Sequence, residues 1–318
     1  LLRHLPYLYK EKEGYTNSNK LSPLDVQLSH VSFMWISHSH LDHYGDVAIV
    51  VQAIANAKRK SRRSDLLLLI APSKVLKYLN ILLQHSSANA SRNNNQRLYK
   101  GVTHRDFQHS PFAEHIRSSV YEYKLPLLTF ENVQHKPEKG NIKQHYTPFA
   151  SLRNVEVEHC REAFALIIHM NIPSEGERVA GIRSNRLSFF LCFSGDTRPS
   201  AQLVQACRSY YPSQLSLLIH EATFINDSQG QIDAVRKRHS TTAEALDIAQ
   251  QIKADSCILT HFSQRYKHVS IKDACSHQNS YSFSWGVALD GMMIPLSKRA
   301  LSRLFQLGQC VDALMASL

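Results

Sequence analysis

The chain has 318 residues, 43% of them hydrophobic, which is enough to bury the core of one large α/β domain or of two smaller ones. Its 37 Lys and Arg against 26 Asp and Glu give a formal net charge of +11. This balance indicates a polyanionic partner, nucleic acid before membrane, although charge alone fits a solvated basic surface equally well. No apolar stretch is long enough to cross a bilayer and no signal peptide is visible, so we expect no membrane association.

The six cysteines form no C-x-x-C pair, and two of them lie inside apolar, strand-like runs. This spacing predicts reduced thiols in an intracellular protein and argues against a disulfide framework. The first residue is Leu1, so we expect the natural start of the chain to lie elsewhere.

The first part of the chain predicts strands that alternate with helices. We expect strands over 31–37 and 66–71, and helices over 44–58 and 73–85. The stretch 86–150 has few clear signals and predicts an insertion. Within it we expect a Ser- and Asn-rich loop over 86–96, an edge strand over 126–130 and a polar loop over 131–149.

Regular structure is expected again from Val155 onward. The predicted strands cover 155–159, 163–170, 187–193, 215–219 and 257–259, with 287–289 and 292–295 closing the sheet. The predicted helices cover 200–209, 241–253 and 298–315.

Three histidines and an aspartate lie within six residues directly after the first apolar run. His38 and His40 are two positions apart, so in an extended turn they point to the same side and can share one metal. Asp42 and His43 can face a second metal. Imidazole and carboxylate donors together suit Zn²⁺ better than Ca²⁺ or Mg²⁺. A histidine-rich loop is the alternative, but chance placement in this spacing is rare.

Further residues of the same kinds follow four later predicted strands. They are His159, Asp196, the pair His220 and Glu221, and His261. Loops at one edge of a sheet lie close together, so these side chains are expected to meet the first group.

The residues then divide into two metal sites. His38, His40 and His159 would hold one zinc, Asp42, His43 and His261 the other, and Asp196 would bridge them. Two metals about 3.5–4 Å apart polarise a phosphoryl oxygen and lower the pKa of a bridging water toward about 7. Each residue also has an ordinary interpretation, such as a turn former for Asp196 or a surface residue for His239.

Six segments, HSHLDH, EHCREAF, FSGDTRPS, IHEATF, KRHSTTAEAL and LTHFSQRY, occur here in the order found in the tRNase Z family. The resemblance covers about 25–310, is weak over 86–150, and is strongest to the C-terminal half of the long form. It implies one metallo-β-lactamase-like domain over 1–318, an αββα sandwich. Only about 30 residues precede the first histidine motif, so the first strands of that fold are expected to be missing.

The resemblance also implies roles for individual residues. The metal ligands would be His38, His40, Asp42, His43, His159, Asp196 and His261. Glu221 and His239 would transfer a proton to the leaving group, and Asp42 would accept one from the attacking water. Substrate contacts would come from the residues after His261, which are Ser263, Gln264 and Arg265.

The function so implied is zinc-dependent removal of the 3′ trailer from precursor tRNA after the discriminator base, through a metal-activated hydroxide. The cofactors would be two Zn²⁺, with Mn²⁺ as a substitute. A dimer, or a separate N-terminal half in a longer chain, would be the protein partner, in the nucleus or mitochondrion. The alternatives are another phosphodiesterase of this fold and a non-catalytic RNA-binding fragment.

Overall fold

The computed structural model describes residues 21–87, 98–109, 149–173, 186–209, 214–275 and 281–317. The chain divides into two compact units. The first contains 1–108 with 160–162, and the second contains 109–159 with 163–318. Of the predicted elements, the edge strand over 126–130 and most of the loops over 86–96 and 131–149 lie outside the described residues.

The first unit is built on a three-stranded parallel sheet. Its strands, in the order β1-β2-β3, are β1 (Phe33–Trp35), β2 (Leu67–Ile70) and β3 (Tyr99–Val102). Its helices are α1 (Pro23–Ser29), α2 (Leu41–Tyr44), α3 (Val47–Lys60), α4 (Ser73–Ser87) and α5 (His104–His109). Parallel strands need a crossover, and α3 and α4 supply the two crossovers here.

The core of this unit lies between β2 and the two crossover helices. Val51 and Ile54 of α3 and Leu79 of α4 pack with Leu67 and Leu69 of β2, and all five side chains are buried. β2 reads as a continuous apolar run because a central parallel strand is covered by side chains on both faces.

The second unit is built on a six-stranded mixed sheet in which the strands keep their chain order. They are β4 (Phe149–Glu156), β5 (Phe164–Pro173), β6 (Arg186–Phe193), β7 (Leu217–Glu221), β8 (Ser256–Thr260) and β9 (Ser284–Val287). β4, β5 and β6 pair antiparallel, and β6 to β9 pair parallel. β4 therefore runs in the same direction as β6, β7 and β8, and all four end at one edge of the sheet.

Helices accompany the parallel part of this sheet. They are α6 (Ala201–Arg208), α7 (Ser228–Lys237), α8 (Thr242–Ile252), α9 (Ile271–Ala274), α10 (Lys298–Leu301) and α11 (Leu304–Ala316). The start of α8 has the predicted capping box, in which Thr241 and Glu244 satisfy each other's backbone N–H groups. Leu301 and Leu304 pack against Leu217 and Ile258 of the sheet.

Several predicted boundaries were wrong. The segment predicted as one helix over 298–315 is two helices, α10 and α11, and 288–295 contains no strand. Five described helices, α1, α2, α5, α7 and α9, and the strand β3 were not predicted. β3 and α5 lie inside the stretch that was interpreted as an insertion. Among the described residues no helix is long and apolar enough to cross a membrane.

Candidate metal centre

The first group of ligand-type residues lies between β1 and α3. His38 follows β1, His40 directly precedes the short helix α2, and Asp42 and His43 lie within that helix. His38 is fully buried, whereas the Asp42 side chain is 71% exposed. A single turn of helix therefore sets the directions of Asp42 and His43, and His40 directly before it has the extended backbone that was expected.

Local contacts connect these four side chains. The Ser37 hydroxyl lies 3.0 Å from Nδ1 of His38, and Nε2 of His38 lies 3.0 Å from Nδ1 of His40. The rings of His38 and His43 are 4.1 Å apart between centroids, and Nε2 of His43 is 3.6 Å from Oδ2 of Asp42. Six consecutive residues thus place four metal-type donors close to one another.

The second group collects at the edge where β4, β6, β7 and β8 end. His159 follows β4, Asp196 follows β6, Glu221 is the last residue of β7, and His261 follows β8. His239 comes from the connection between α7 and α8. We predicted that these strand ends would lie close together because strands that run in the same direction end at one edge of a sheet. In this unit β4, β6, β7 and β8 do run in the same direction.

The Asp196 carboxylate lies at the centre of this second group. Its Oδ2 atom is 3.5 Å from Nε2 of His261, 3.8 Å from Nε2 of His159 and 4.0 Å from Nδ1 of His239. The Asp196 side chain is only 4% exposed. Gly195 directly before it has φ 59°, a left-handed conformation that glycine adopts without strain and that turns the chain sharply at the end of β6. One buried carboxylate is thus placed between histidines from two different strand ends.

The orientation of His159 is fixed by a hydrogen bond from Nδ1, the ring nitrogen that does not face Asp196. Its Nδ1 atom lies 2.7 Å from the carbonyl oxygen of Arg238, to which it donates, and the Arg238 guanidinium donates in turn to the His159 carbonyl at 3.1 Å. A histidine that donates from Nδ1 to a backbone carbonyl presents an unprotonated Nε2 for a metal. Here that Nε2 is the atom that faces Asp196.

Thr223 holds two further members of the group. Its hydroxyl donates to Oε2 of Glu221 at 2.8 Å, and its oxygen lies 2.9 Å from Nδ1 of His261. Because the hydroxyl proton goes to the carboxylate, the oxygen accepts from the His261 Nδ1–H group. His261 then also presents an unprotonated Nε2 toward Asp196. His261 has φ 63°, a strained conformation for a residue other than glycine, and such strain is typical of functional sites.

The Glu221 carboxylate is buried and surrounded by hydrogen-bond donors. Its Oε1 atom accepts from the Thr197 backbone N–H at 2.9 Å and lies 2.9 Å from Nδ1 of His239. Its Oε2 atom accepts from both the backbone N–H and the hydroxyl of Thr223. The Ser194 hydroxyl accepts from the Glu221 backbone N–H. The carboxylate therefore cannot rotate away from His239 without losing several hydrogen bonds at once.

Two opposing influences set the pKa of His239. Burial lowers it, since a buried site disfavours the imidazolium ion, but the hydrogen bond and charge of Glu221 and the charge of Asp196 raise it. The increase is the larger effect, and the pKa of His239 is raised above its ordinary value. His239 is thereby prepared to hold a proton and to release it to a nearby oxygen.

An ion pair fixes the backbone at His239. The Arg198 guanidinium makes two hydrogen bonds to Glu244 and a third, at 2.6 Å, to the carbonyl oxygen of His239. The Ser240 hydroxyl donates to the Thr197 carbonyl at 2.6 Å. These contacts join the loop after β6 to the start of α8, so the two loops that carry Asp196 and His239 keep their spacing.

The residues after His261, which were predicted to contact substrate, have separate environments. The Ser263 backbone N–H donates to the Thr223 carbonyl, Gln264 is exposed, and the Arg265 guanidinium pairs with Asp233 at 2.9 Å. Arg265 also lies 4.9 Å above the ring of Phe224. The hydrogen bond from Arg265 lowers the pKa of Asp233.

Sequence reasoning missed the residues that position the ligand-type side chains. Thr223, Arg198 and Arg238 belong to motifs that were recognised, but no role was given to them. Thr223 offered one usable signal, since a hydroxyl two residues after a buried acid can bond back to it. The roles of Arg198 and Arg238 depend on contacts across 41 and 79 positions of sequence and left no local signal.

The donors of both groups fit a metal. Imidazole nitrogen and carboxylate oxygen are ligands for Zn²⁺ and related ions, and two histidines of the second unit present unprotonated Nε2 atoms beside one carboxylate. Within that unit the ligand atoms of His159, Asp196 and His239 all lie within 4.8 Å of one another. The side chains therefore support a metal cofactor at this sheet edge.

No protein-family model matches the chain, but tRNase Z and ribonuclease Z proteins are among the relatives that it resembles. The chain is 24% identical over 270 residues to "tRNase Z TRZ3, mitochondrial" of Arabidopsis thaliana, a match that covers 82% of this chain and 28% of the relative. It is 27% identical over 284 residues to "Ribonuclease Z 1" of Schizosaccharomyces pombe, over 89% of this chain and 28% of the relative. The chain thus spans little more than a quarter of these relatives.

A solved structure shows the same fold. The crystal structure of a long form RNase Z from yeast matches 92% of this chain and 36% of its own length, with a TM-score of 0.58 and 18% sequence identity. The α/β fold class that the sequence motifs predicted is therefore confirmed.

Proposed function

We propose that this chain, which is a relative of the tRNase Z proteins and has the metallo-β-lactamase fold, is an endoribonuclease that removes the 3′ trailer from precursor tRNA. The observation that carries the proposal is the buried Asp196 carboxylate between His159 and His261, with the Glu221–His239 pair beside it. This combination offers metal ligands and a proton donor at one sheet edge.

The proposed cofactor is a pair of zinc ions, for which Mn²⁺ can substitute. Held by His38, His40, Asp42, His43, His159, Asp196 and His261, bound zinc would activate a water and polarise the scissile phosphate. The protein's part is to orient the ligands and to fix which ring nitrogen carries the hydrogen. The Arg238 carbonyl does this for His159, and the Thr223 hydroxyl does it for His261.

Glu221 and His239 are assigned to the leaving group. Cleavage after the discriminator base leaves a 3′-hydroxyl on the tRNA, so the departing 3′ oxygen must gain a proton. His239 directs Nδ1 to Glu221, which leaves Nε2 available for that oxygen, and its pKa is raised. Asp42, which is exposed, would accept the proton of the attacking water.

The substrate assignment rests on the relatives and on charge. The two relatives described above are named as ribonucleases of this type, and the chain carries a formal net charge of +11. Ser263, Gln264 and Arg265 follow a proposed ligand and are the proposed contacts to substrate. Since the chain matches only part of its relatives, the proposed assembly adds a second copy or a separate N-terminal half. The proposed location is the mitochondrion or nucleus, and one relative is named mitochondrial.

The test is cleavage of an end-labelled precursor tRNA by purified protein with Zn²⁺ or Mn²⁺. Asp196→Ala removes the central carboxylate, and we expect the cleavage rate to fall by about 10³-fold or more, because metal ions supply several kcal/mol of transition-state stabilisation. Asp46→Ala is the matched control, since Asp46 is exposed and its side chain caps no backbone group. We expect it to cut at the wild-type rate.

Metal content measured on the same samples separates the outcomes. A cut directly after the discriminator base, lost in Asp196→Ala together with bound zinc, would support the proposal. A wild-type protein that binds two zinc ions per chain but cuts no precursor tRNA would overturn the proposed activity. Equal cleavage by wild type and Asp196→Ala would overturn the site.

A further inference from the structure

We propose that a cavity beside His261 binds the nucleotide on the trailer side of the scissile phosphate, as a nucleoside 5′-phosphate. This inference rests on the proposed function, because it names which part of the substrate the cavity takes. The cavity has a volume of about 470 Å³ and lies where β8 and β9 end. That volume is within the range of small-molecule sites, roughly 300–1,000 Å³.

The walls of the cavity combine aromatic and aliphatic surface. Phe262 and Tyr266 contribute rings, and Val269, Val287 and Leu289 contribute aliphatic side chains. The position of Tyr266 is fixed, because its hydroxyl accepts from the Ile225 backbone N–H at 3.4 Å and its own N–H donates to the Ser263 carbonyl. A fixed ring beside aliphatic side chains suits the flat face of a base.

Two exposed charged side chains, Lys267 and Asp290, also line the cavity. In the part of the chain that the structure describes, neither Lys267 nor Asp290 has a hydrogen-bond or ion-pair partner. The Lys267 ammonium can bind a phosphate, and the Asp290 carboxylate can accept from the exocyclic amine of adenine or cytosine. Uracil carries the acceptor oxygen O4 at the position of the exocyclic amine of cytosine, so a carboxylate of Asp290 at that position would disfavour it.

The position of the cavity selects the trailer side. His261 lines it, while His239 and Glu221 do not. His239 is assigned to the oxygen that leaves with the mature tRNA, whereas the phosphate stays with the trailer. A cavity that adjoins His261 and Lys267 but not His239 therefore faces the nucleotide that keeps the phosphate at its 5′ end.

Calorimetric titration of the zinc-loaded protein with AMP, CMP, UMP and inorganic phosphate tests this inference without cleavage. We expect Lys267→Ala to raise the dissociation constant for AMP about tenfold, since it removes a charge-assisted contact. The matched control is Lys272→Ala, an exposed lysine of α9 outside the cavity lining, and we expect no change. We expect Asp290→Asn to reduce the preference for CMP over UMP.

The inference is overturned if Lys267→Ala and Lys272→Ala bind AMP equally well, or if AMP binds no more tightly than inorganic phosphate. Either result in a protein that still cuts precursor tRNA would leave the proposed function standing. AMP binding that depends on Lys267, in a protein that cuts no precursor tRNA, would support the nucleotide site and overturn the proposed function.

Discussion

The two groups of ligand-type residues are held in different ways. In the first unit, His38, His40, Asp42 and His43 come from one six-residue segment, and they contact one another and Ser37. In the second unit, the equivalent side chains come from four strand ends and a loop, spread over about a hundred positions of sequence.

The second group is also supported by a second layer of residues, which contact the ligand-type side chains and hold them in place. Thr223, the Arg238 carbonyl and the Arg198–Glu244 pair contact its members. In the first unit sequence spacing brings the ligand-type residues near one another, whereas in the second unit the sheet brings them together and a second layer of residues fixes the side chains. If so, the two regions should respond differently when a supporting contact is removed.

The largest effect is expected from Thr223→Val, which keeps the shape of the side chain and removes the hydroxyl. Without it, Nδ1 of His261 loses its acceptor and Glu221 loses a donor. We expect zinc affinity, measured by competition with a chelator, to fall by up to about 100-fold. Thr223→Ser keeps the hydroxyl and should stay near wild type. Equal affinities for the two variants would mean that the hydroxyl does not orient His261.

The next effect is expected from Arg198→Met, which tests whether the loops of the second group depend on their ion pair. Arg198 is largely buried and makes three hydrogen bonds. We expect the free energy of unfolding in urea to fall by about 2 kcal/mol. Arg208→Met is the matched control, because Arg208 is exposed and donates to one backbone carbonyl, and it should cost less than about 0.5 kcal/mol. A similar loss of unfolding free energy in both variants would contradict the inference that Arg198 holds the two loops together.

A smaller effect is expected in the first unit from Ser37→Ala. The Ser37 hydroxyl contacts one ligand-type side chain, His38, at 3.0 Å, while Thr223 contacts several members of its group. We expect zinc affinity to fall about tenfold. Ser32→Ala, which removes a hydroxyl that donates to the His30 carbonyl, serves as the control. A larger loss from Ser37→Ala than from Thr223→Val would reverse the comparison between the two regions.

The smallest effect is a shift in pH dependence. Burial lowers the pKa of His239, and Glu221 raises it above its ordinary value. If His239 acts as the acid, activity declines as pH rises through that pKa. Glu221→Gln removes the charge, so the pKa of His239 should fall and the alkaline limb of the single-turnover rate profile should move to lower pH. An alkaline limb that stays at the wild-type position would mean that His239 does not donate the proton.

Much of the site could be placed in advance because most of the motifs follow apolar runs. Apolar runs such as 187–193 and 215–219 predicted strands, and the structure has β6 and β7 at nearly the same positions. The boundaries that failed have physical reasons. Ser302 and Arg303 interrupt what looked like one amphipathic helix, and the segment after β9 forms turns although it is apolar. Short apolar runs do not distinguish a strand from a loop that packs on the core.

The sequence by itself determined which residues can bind a metal and in what order the strands present them, because ligand chemistry and strand periodicity are properties of the residues and their spacing. Tertiary structure alone decided which hydroxyls, carbonyls and ion pairs form the hydrogen bonds that position His159, His239 and His261. Those contacts join residues up to 79 positions apart. Their formation depends on strand direction and pairing register, which arise only when the whole sheet has assembled.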